Sequence, residues 1–300
     1  MERVWVVRSL MFVPGHRQRM IERALGRGEF GSNELDVALL DLEDGVPAAA
    51  KAEARTLVGA ALVSGRPNGP ARFVRVNRVG TVEHAEDVVA VRTAGVDGVV
   101  LPKVEAPAEV WQAVEEFPGT PLVPSIESAK GLLAAAGIAA VDGVVALLFG
   151  AEDFALDLGL SARREGEAAD LAYARSAVAI AAAASDRLAL DGIWPDLEDR
   201  EGLRRDALGA RRMGYAGKSC IHPDQIETIN EVFSPSPSEV EHARRVVATF
   251  DRATAKGLGA VALEGKLLDA PIVERARRTI RLHDAIAANR NAARGDGRRS

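Results

Sequence analysis

Eight short runs of apolar residues recur along the chain, and amphipathic segments separate them. The runs are rich in Val, Leu and Ile without polar alternation, which is typical of parallel strands covered on both faces. We predict strands at Ser9–Val13, Val37–Leu42, Arg72–Val76, Gly98–Pro102, Leu122–Ile126, Val144–Phe149, Leu188–Ile193 and Lys218–Ile221. Helices are predicted between and after them, among others over Val82–Ala94, Ala106–Glu116, Gly131–Ala139, Ala168–Ala184, Leu203–Met213, Ser238–Lys256 and Pro271–Ala288.

Eight strand–helix units with short returns predict an α/β fold, a (β/α)₈ TIM barrel with a C-terminal helical extension. An open doubly wound sheet is the alternative, although no GxGxxG or GxxxxGK[ST] motif follows the first strand. Glycines before three of the strands fit helix ends that need a positive φ: Gly95, Gly98, Gly143, Gly214 and Gly217. We expect residues 1–233 to form the barrel, 234–288 the extension, and the polar, basic residues 289–300 a disordered tail.

Composition narrows the classes of protein that this chain could be. Its 300 residues suit one large barrel, and a hydrophobic content of 47% allows a sizeable core. A formal net charge of −5 argues against a general nucleic-acid binder. We expect neither a signal peptide nor a membrane span, because Arg8 interrupts the first apolar run and no run approaches ~20 residues. With a single cysteine, these features favour a cytoplasmic protein, or an organellar one without its transit peptide.

Two carboxylates stand where neighbouring predicted strands end. Glu127 closes the fifth strand, and Asp153 follows the sixth. The carboxyl ends of barrel strands share one rim, which is the face that carries active sites. Oxygen ligands of this kind suit Mg²⁺ or Mn²⁺, with water and an oxygen-rich substrate in the other positions. Each carboxylate alone could instead cap the helix that follows it, but the adjacent pair favours a metal site.

Other charged residues at this rim each have two interpretations. Arg75 lies among apolar residues near the end of the third strand, so it must face either a carboxylate or a substrate oxyanion. Glu43 and Asp44 could hold metal-bound water, or they could pair with Arg75 and Lys103. Lys103 could be either an ion-pair partner or a substrate ligand.

Two further residues near the eighth strand are expected to have structural roles. His222 is expected to form hydrogen bonds near the rim, and Cys220 lies within the strand with no evident base beside it. The residues alone therefore indicate a metal-assisted enzyme that acts on a small oxyanionic substrate.

Ordered motifs extend from about Arg8 to Leu282 and add specificity. They read RSLMFVPG, DVALLDLEDGV, RVN, LPKVE, IESAKG, LLFGAEDFALDLG, GKSCIHPDQI and GKLLDAPIVERARR. In this order they resemble the citrate lyase β-subunit-like family of the HpcH/HpaI aldolase superfamily, which includes malyl-CoA and citramalyl-CoA lyases. The resemblance implies a TIM barrel that forms a homotrimer and binds Mg²⁺ and a CoA thioester.

The resemblance also implies roles for individual residues. Glu127 and Asp153 match the family's metal ligands, and Arg75 matches an arginine that contacts the substrate and polarises the thioester oxygen. Asp269 in LLDAP matches an acid/base that the C-terminal segment of a neighbouring subunit delivers. Three basic residues could contact the CoA phosphates or form surface salt bridges: Arg8, Arg17 and Lys51.

The implied reaction is retro-Claisen cleavage, or its reverse, of a 3-hydroxyacyl-CoA such as malyl-, citramalyl- or citryl-CoA to acetyl-CoA and a 2-oxoacid. Alternatives are a CoA-independent metal-dependent aldolase, thioester hydrolysis, malate synthesis from glyoxylate, and a non-catalytic barrel that serves as a binding module. Two departures from the family pattern could alter CoA positioning or acyl preference. His16 follows VPG where Ser or Asn is frequent, and LEGK lacks the aspartate that many relatives have before this glycine.

Overall fold

The barrel is closed by eight parallel strands in sequence order. The structure, a computed structural model, describes residues 6–26, 35–63, 69–160 and 169–295. The strands are β1 Ser9–Pro14, β2 Val37–Asp41, β3 Ala71–Arg75, β4 Gly98–Leu101, β5 Leu122–Ile126, β6 Ala146–Phe149, β7 Leu188–Asp191 and β8 Gly217–Cys220. All eight predicted strands are present within two residues of their bounds. The (β/α)₈ prediction is confirmed, and the open sheet is excluded.

The helices of this part of the chain surround the barrel strands in sequence. They are α1 Gln18–Ala24, α2 Lys51–Val63, α3 Val82–Val91, α4 Pro107–Glu116, α5 Ala129–Ala139, α6 Ala151–Asp157, α7 Ala172–Ala183, α8 Arg200–Met213 and α9 Asp224–Phe233. Among the described residues, none of the helices combines the length and apolar content needed to cross a membrane.

Side-chain alternation along the strands separates the helix-facing layer from the barrel interior. In β2, Leu40 belongs to the apolar cluster formed with the surrounding helices, as does Leu42 just beyond the strand. Asp41 lies between them and therefore points to the opposite face. Asp41 is paired in register with Arg75 of β3. The end of the barrel interior thus receives a carboxylate and a guanidinium from adjacent strands.

The glycines at the returns to the strands serve two different purposes. Gly95, Gly143 and Gly214 have φ of 75°, 96° and 100°, as predicted. Gly98 and Gly217 instead begin strands, so the expected positive φ was wrong for these two. A Cβ at Gly98 would lie 2.6 Å from Cζ of Phe73, and one at Gly217 would overlap the carbonyl oxygen of Val7. At both positions a neighbouring group occupies the space that a larger side chain would need, so glycine fits there.

Residues 7–233 form one compact unit, and the elements after Ser234 belong to another. The second unit contains α10 Pro237–Thr254, an antiparallel hairpin of β9 Val261–Leu263 and β10 Lys266–Leu268, and α11 Ala270–Gly295. Its core includes Val246 of α10, Leu268 of β10 and Val273 of α11.

The second unit departs from the sequence prediction in two places. No strand was predicted between the last two helices, but the hairpin lies there, and its turn places Glu264 and Gly265 at φ of 50° and 76°. Residues 289–295, predicted to be disordered, continue α11, because NRNAARG contains good helix formers in Ala and Arg. Residues 296–300 lie outside the described residues.

Candidate functional site

Glu127 lies at the carboxyl end of the barrel interior, directly after β5. Its side chain is 5% exposed, and its Oε2 is buried without a hydrogen-bond partner among the described residues. Gly150, which precedes α6, leaves the space that this side chain fills, since a Cβ there would overlap Cγ and lie 2.9 Å from Cδ of Glu127. A buried carboxylate oxygen without a donor is costly unless a ligand supplies the missing contact.

Several neighbouring charges act on Glu127. Burial is the largest effect and raises its pKa to about 7. The guanidinium of Arg75 lowers this pKa, whereas the carboxylates of Asp153 and Glu43 raise it. Asp153 lies in the first turn of α6 and is half-buried. The structure therefore brings Glu127, Asp153, Glu43 and Arg75 close enough to interact.

Arg75, the last residue of β3, is clamped by carboxylates. Its Nε and Nη2 donate to the two oxygens of Asp41, each over 2.7 Å, and its Nη1 lies 3.0 Å from Oε2 of Glu43. The guanidinium also lies over the ring of Phe12, 4.8 Å from its centroid. Burial opposes its charge, but the contacts with Asp41 and Glu43 raise its pKa above the usual value. The arginine stays charged.

Lys103 binds the Glu43 carboxylate through the oxygen that does not face Arg75. It follows β4 with φ of 53°, and its Nζ donates to Oε1 of Glu43 over 2.5 Å and to Oδ2 of Asp44 over 2.6 Å. Burial raises the pKa of Glu43, whereas at Asp44 burial is outweighed by Lys103, so the pKa of Asp44 is lowered. Burial acts against the charge on Lys103, but these two carboxylates raise its pKa. In this structure Lys103 is the ion-pair partner of Glu43 and Asp44.

Asp41 is a site residue that the sequence analysis missed. It was counted as part of an apolar strand, although it is 2% exposed and accepts both hydrogen bonds from Arg75. It also accepts hydrogen bonds from the backbone N–H groups of Glu43 and Gly45, each over 2.9 Å. The available signal was its position at the carboxyl end of β2, where barrel strands carry active-site residues.

The three candidate CoA contacts occupy different places. Arg8 precedes β1, at the end of the strand opposite the site, and pairs with Asp36 through Nη2–Oδ1 and Nε–Oδ2 contacts of 2.7 and 2.8 Å. This placement contradicts a phosphate contact at the carboxyl rim. Lys51 directs its Nζ to backbone oxygens of Leu42 and Glu43. Arg17 is exposed just before α1, on the side of β1 where the strand ends.

Asp269 belongs to the second unit and caps α11 there. Its Oδ1 accepts a hydrogen bond from the backbone N–H of Ile272 over 3.2 Å, and its backbone oxygen accepts from Val273. The side chain is half-buried. Its expected role in a neighbouring subunit stays a prediction.

Cys220 and His222, the two residues expected to be structural, have contacts that fit such roles. Cys220 is fully buried in β8, and burial raises its pKa to about 12, so the thiolate is strongly disfavoured. Nδ1 of His222 accepts a hydrogen bond from the backbone N–H of Asp224 over 3.2 Å. Both observations agree with the structural roles predicted for them.

A second charged cluster lies between β7, β8 and the helices outside them. Lys218 donates to Asp191 and Asp206 over 2.7 and 2.5 Å, and Arg175 pairs with the same two carboxylates. All four residues are at most 2% exposed. Two cations balance two anions, and the cluster joins α7 and α8 to the barrel.

Comparison with known proteins connects this geometry to a family. The model described as HpcH/HpaI aldolase/citrate lyase matches residues 8–223. The chain belongs to the HpcH/HpaI aldolase/citrate lyase family. The match covers all eight barrel strands. It also covers the charged residues at the carboxyl ends of these strands, which are Asp41, Glu43, Asp44, Arg75, Lys103, Glu127 and Asp153.

Two relatives of this HpcH/HpaI chain are similar over nearly its full length. The citrate lyase subunit beta of Leuconostoc mesenteroides subsp. cremoris is 35% identical, over 93% of this chain and 93% of that protein. A (3S)-malyl-CoA thioesterase of Cereibacter sphaeroides is also 35% identical, over 94% of this chain and 96% of its own. These relatives indicate that the HpcH/HpaI chain belongs to a family of lyases whose chemistry involves CoA.

A solved structure agrees with this family assignment. The protein CitE from Mycobacterium tuberculosis, in complex with magnesium, acetoacetate and coenzyme A, has a TM-score of 0.76 and 33% identity. The similarity covers 93% of this HpcH/HpaI chain and 98% of the other. The fold and the resemblance noted in the sequence are therefore both confirmed.

Proposed function

We propose that this protein is a Mg²⁺-dependent carbon–carbon lyase that cleaves or forms a 3-hydroxyacyl-CoA thioester. Malyl-CoA, citramalyl-CoA and citryl-CoA are the candidate substrates, and acetyl-CoA and a 2-oxoacid are the products. The observation that carries the proposal is the buried Oε2 of Glu127, which has no hydrogen-bond partner in the described part of the chain and lies beside Arg75 at the carboxyl end of the barrel. The related CitE structure with magnesium, acetoacetate and coenzyme A supports the choice of ligands.

The residues present fit a hard divalent cation. Glu127, whose Oε2 has no hydrogen-bond partner among the described residues, and the neighbouring Asp153 would supply two ligands. No group of three His, Cys, Asp or Glu side chains in the described part of the chain is arranged to hold a metal ion. Mg²⁺ commonly binds one or two carboxylates and keeps several water or substrate ligands. When bound, it would acidify the substrate hydroxyl and stabilise the carbonyl of the departing 2-oxoacid.

The chain's own residues would handle the thioester fragment. Carbon–carbon cleavage leaves an enolate of acetyl-CoA, and Arg75 would stabilise its oxyanion. A guanidinium has five N–H donors, so its contacts with Asp41 and Glu43 leave donors for a substrate oxygen. Asp269 of a neighbouring subunit would deliver the proton to the enolate carbon, or remove it in the condensation direction. Arg17 stays the candidate contact for a CoA phosphate.

The test is a parallel assay of the three thioesters with Mg²⁺ and with a chelator. A lyase releases acetyl-CoA together with glyoxylate, pyruvate or oxaloacetate, respectively, from malyl-, citramalyl- and citryl-CoA. If none of the three thioesters released acetyl-CoA, the proposed lyase function would be excluded.

Thioester hydrolysis is a second candidate, because a (3S)-malyl-CoA thioesterase is as similar to this chain as the citrate lyase subunit. Hydrolysis consumes water and gives malate and free CoA, without glyoxylate. The same assay therefore separates the two reactions by their products.

We expect Gly150→Ala to abolish most of the Mg²⁺-dependent activity. The new Cβ would overlap the Glu127 side chain, so the carboxylate must move. Calorimetry should show Mg²⁺ binding weakened by about tenfold or more. Changing a residue that orients a metal ligand typically lowers metal affinity by about 10–100-fold. Gly209→Ala in α8 is the matched control, because nothing lies within 4 Å of its added Cβ. Equal Mg²⁺ affinity in both variants would contradict the assignment of Glu127.

A homotrimer with a site shared between subunits can be tested by mixing two inactive variants. Glu127→Ala and Asp269→Ala chains should each be inactive alone. If Glu127 and Asp269 of one site come from different subunits, mixed trimers should recover about a third of the wild-type activity, because one of their three sites combines both intact residues. Differently tagged chains would be co-expressed and purified through both tags. No recovery in such assemblies would show that each site uses both residues of one chain.

A further inference from the structure

A polar network lies against the ends of β2 and β3, next to the site. Lys51, the first residue of α2, donates from Nζ to the backbone oxygens of Leu42 and Glu43 over 2.7 and 2.8 Å. It also donates to Oδ1 of Asn77 over 2.7 Å. An ammonium group has three N–H donors, so these three acceptors occupy all of them.

Asn77 connects this lysine to α3. Its Nδ2 donates to the backbone oxygen of Leu42 over 2.9 Å and to Oδ2 of Asp87 over 2.6 Å. Its backbone N–H donates to the same carboxylate oxygen over 2.7 Å. Asp87 is 0% exposed, and its Oδ1 accepts from Nε of Arg55 over 2.7 Å. The Asn77 amide is therefore held in a single orientation.

The three acceptors around the Lys51 ammonium are neutral oxygens. The evident consequence of these bonds is geometric. They fix two successive carbonyl groups, those of Leu42 and Glu43, at the point where β2 ends.

The fixed backbone carries the residues of the site. Glu43 places Oε2 3.0 Å from Nη1 of Arg75 and Oε1 against Lys103. The backbone N–H of Leu42 donates to the carbonyl oxygen of Arg75 over 2.9 Å. A shift of the Leu42–Glu43 backbone would therefore move the carboxylate that faces Arg75.

We propose that Lys51 and Asn77 are positioning residues that hold the Leu42–Glu43 backbone, so that the Glu43 carboxylate stays against Arg75. This inference rests on the proposed function, since it names groups that act on the same site. It also replaces the CoA contact expected for Lys51, because an ammonium with three protein acceptors has no N–H left for a phosphate. Neither residue touches the substrate.

The test separates positioning from CoA binding through kcat and KM. Lys51→Met keeps the length of the side chain and removes its three donors. We expect kcat to fall by about 10–100-fold, the usual effect of losing an outer contact, with KM for the thioester changed by less than about threefold. Asn77→Ala should give the same pattern. The double variant should be no worse than the poorer single variant, because both act through one network.

Arg72→Met is the matched control. Arg72 also donates to two backbone oxygens, those of Leu62 and Gly95, over 2.7 and 2.8 Å, and it pairs with Asp97. It lies near the start of β3, at the end of the strand opposite Arg75. This variant should lose stability without losing kcat. Lys51→Arg provides a second variant that retains a cation and should recover part of the lost kcat.

Hydrogen exchange gives a readout that does not depend on turnover. The N–H groups of Glu43 and Val46 bond to Oδ1 of Asp41 and to the Glu43 backbone oxygen. They should exchange faster in Lys51→Met than in wild type or Arg72→Met. If the wild type turns over no thioester, the proposed function fails while this measurement still tests the network. Unchanged exchange and unchanged kcat in Lys51→Met, or a tenfold higher KM at constant kcat, would overturn the positioning role.

Discussion

Replacing Glu127 by glutamine is expected to stabilise the metal-free protein at pH 8 and to abolish its Mg²⁺-dependent activity. Burial raises the pKa of Glu127 from 4.5 to about 7, so its ionised form is disfavoured in the folded state. A shift of this size corresponds to a cost of up to about 3 kcal/mol at pH 8. Glutamine removes the charge at nearly constant shape, so we expect a gain of about 1–3 kcal/mol.

The pH dependence has a definite sign. Below about pH 4.5 the carboxyl group is protonated in both the folded and the unfolded chain, and Glu127 costs nothing. Between about pH 4.5 and 7 the unfolded chain releases this proton while the folded protein keeps it, so stability falls as the pH rises. Above about pH 7 the cost is constant. The advantage of Glu127→Gln should therefore grow across this window and then level off.

Chemical unfolding at pH 5 and pH 8, with a chelator present, measures this effect. Glu152→Gln is the control, because Glu152 is an exposed carboxylate beside Asp153 and should change stability little. Activity with Mg²⁺ should fall by at least about 100-fold in Glu127→Gln, since one of two metal ligands is lost. A variant that is less stable than wild type at pH 8 would contradict the cost assigned to the buried carboxylate.

The second large effect is expected from Arg75→Lys. Lysine keeps the positive charge but cannot reproduce the paired Nε and Nη2 bonds to Asp41. We expect kcat/KM to fall by about 10²–10³, the usual effect of losing one donor to a developing oxyanion. Stability should also fall, because Asp41 is buried and loses part of its charge pairing.

Steady-state kinetics and thermal unfolding of Arg75→Lys test these expectations together. Arg78→Lys is the control, since Arg78 follows the same strand but is 45% exposed and pairs with Glu105. An exposed pair of this kind contributes at most about 1 kcal/mol. If Arg75→Lys kept more than a third of the wild-type kcat/KM, the role proposed for the guanidinium would be wrong.

The sequence predicted the barrel because eight apolar runs and their helices obey local rules. Strand composition and helical periodicity act within a few residues, so the elements were found within narrow bounds. Glu127, Asp153, Arg75, Glu43 and Lys103 were found by their positions where strands end, a rule that needs only the fold class. The hairpin of β9 and β10 escaped because its strands are three residues long.

The ion-pair and hydrogen-bond partners of the site residues were harder to predict than the places of these residues at the strand ends. The sequence allowed Arg75 to pair with Glu43 or Asp44, whereas the structure gives it Asp41 and Glu43. Which carboxylate faces the guanidinium depends on the register of β2 against β3, and this register pairs residues 34 positions apart in sequence. For Lys51 the sequence allowed a CoA phosphate or a surface salt bridge, whereas its Nζ donates to the backbone oxygens of Leu42 and Glu43 and to Asn77.

The sequence by itself determined the barrel, the rim that carries its chemistry and the family to which the motifs belong. Those features depend on side-chain type and spacing along the chain. Only the tertiary structure decided that Asp41 holds Arg75, that Gly150 makes room for Glu127 and that Arg8 lies at the opposite end of β1. These are contacts between residues far apart in sequence, and their geometry is set by packing of the closed barrel.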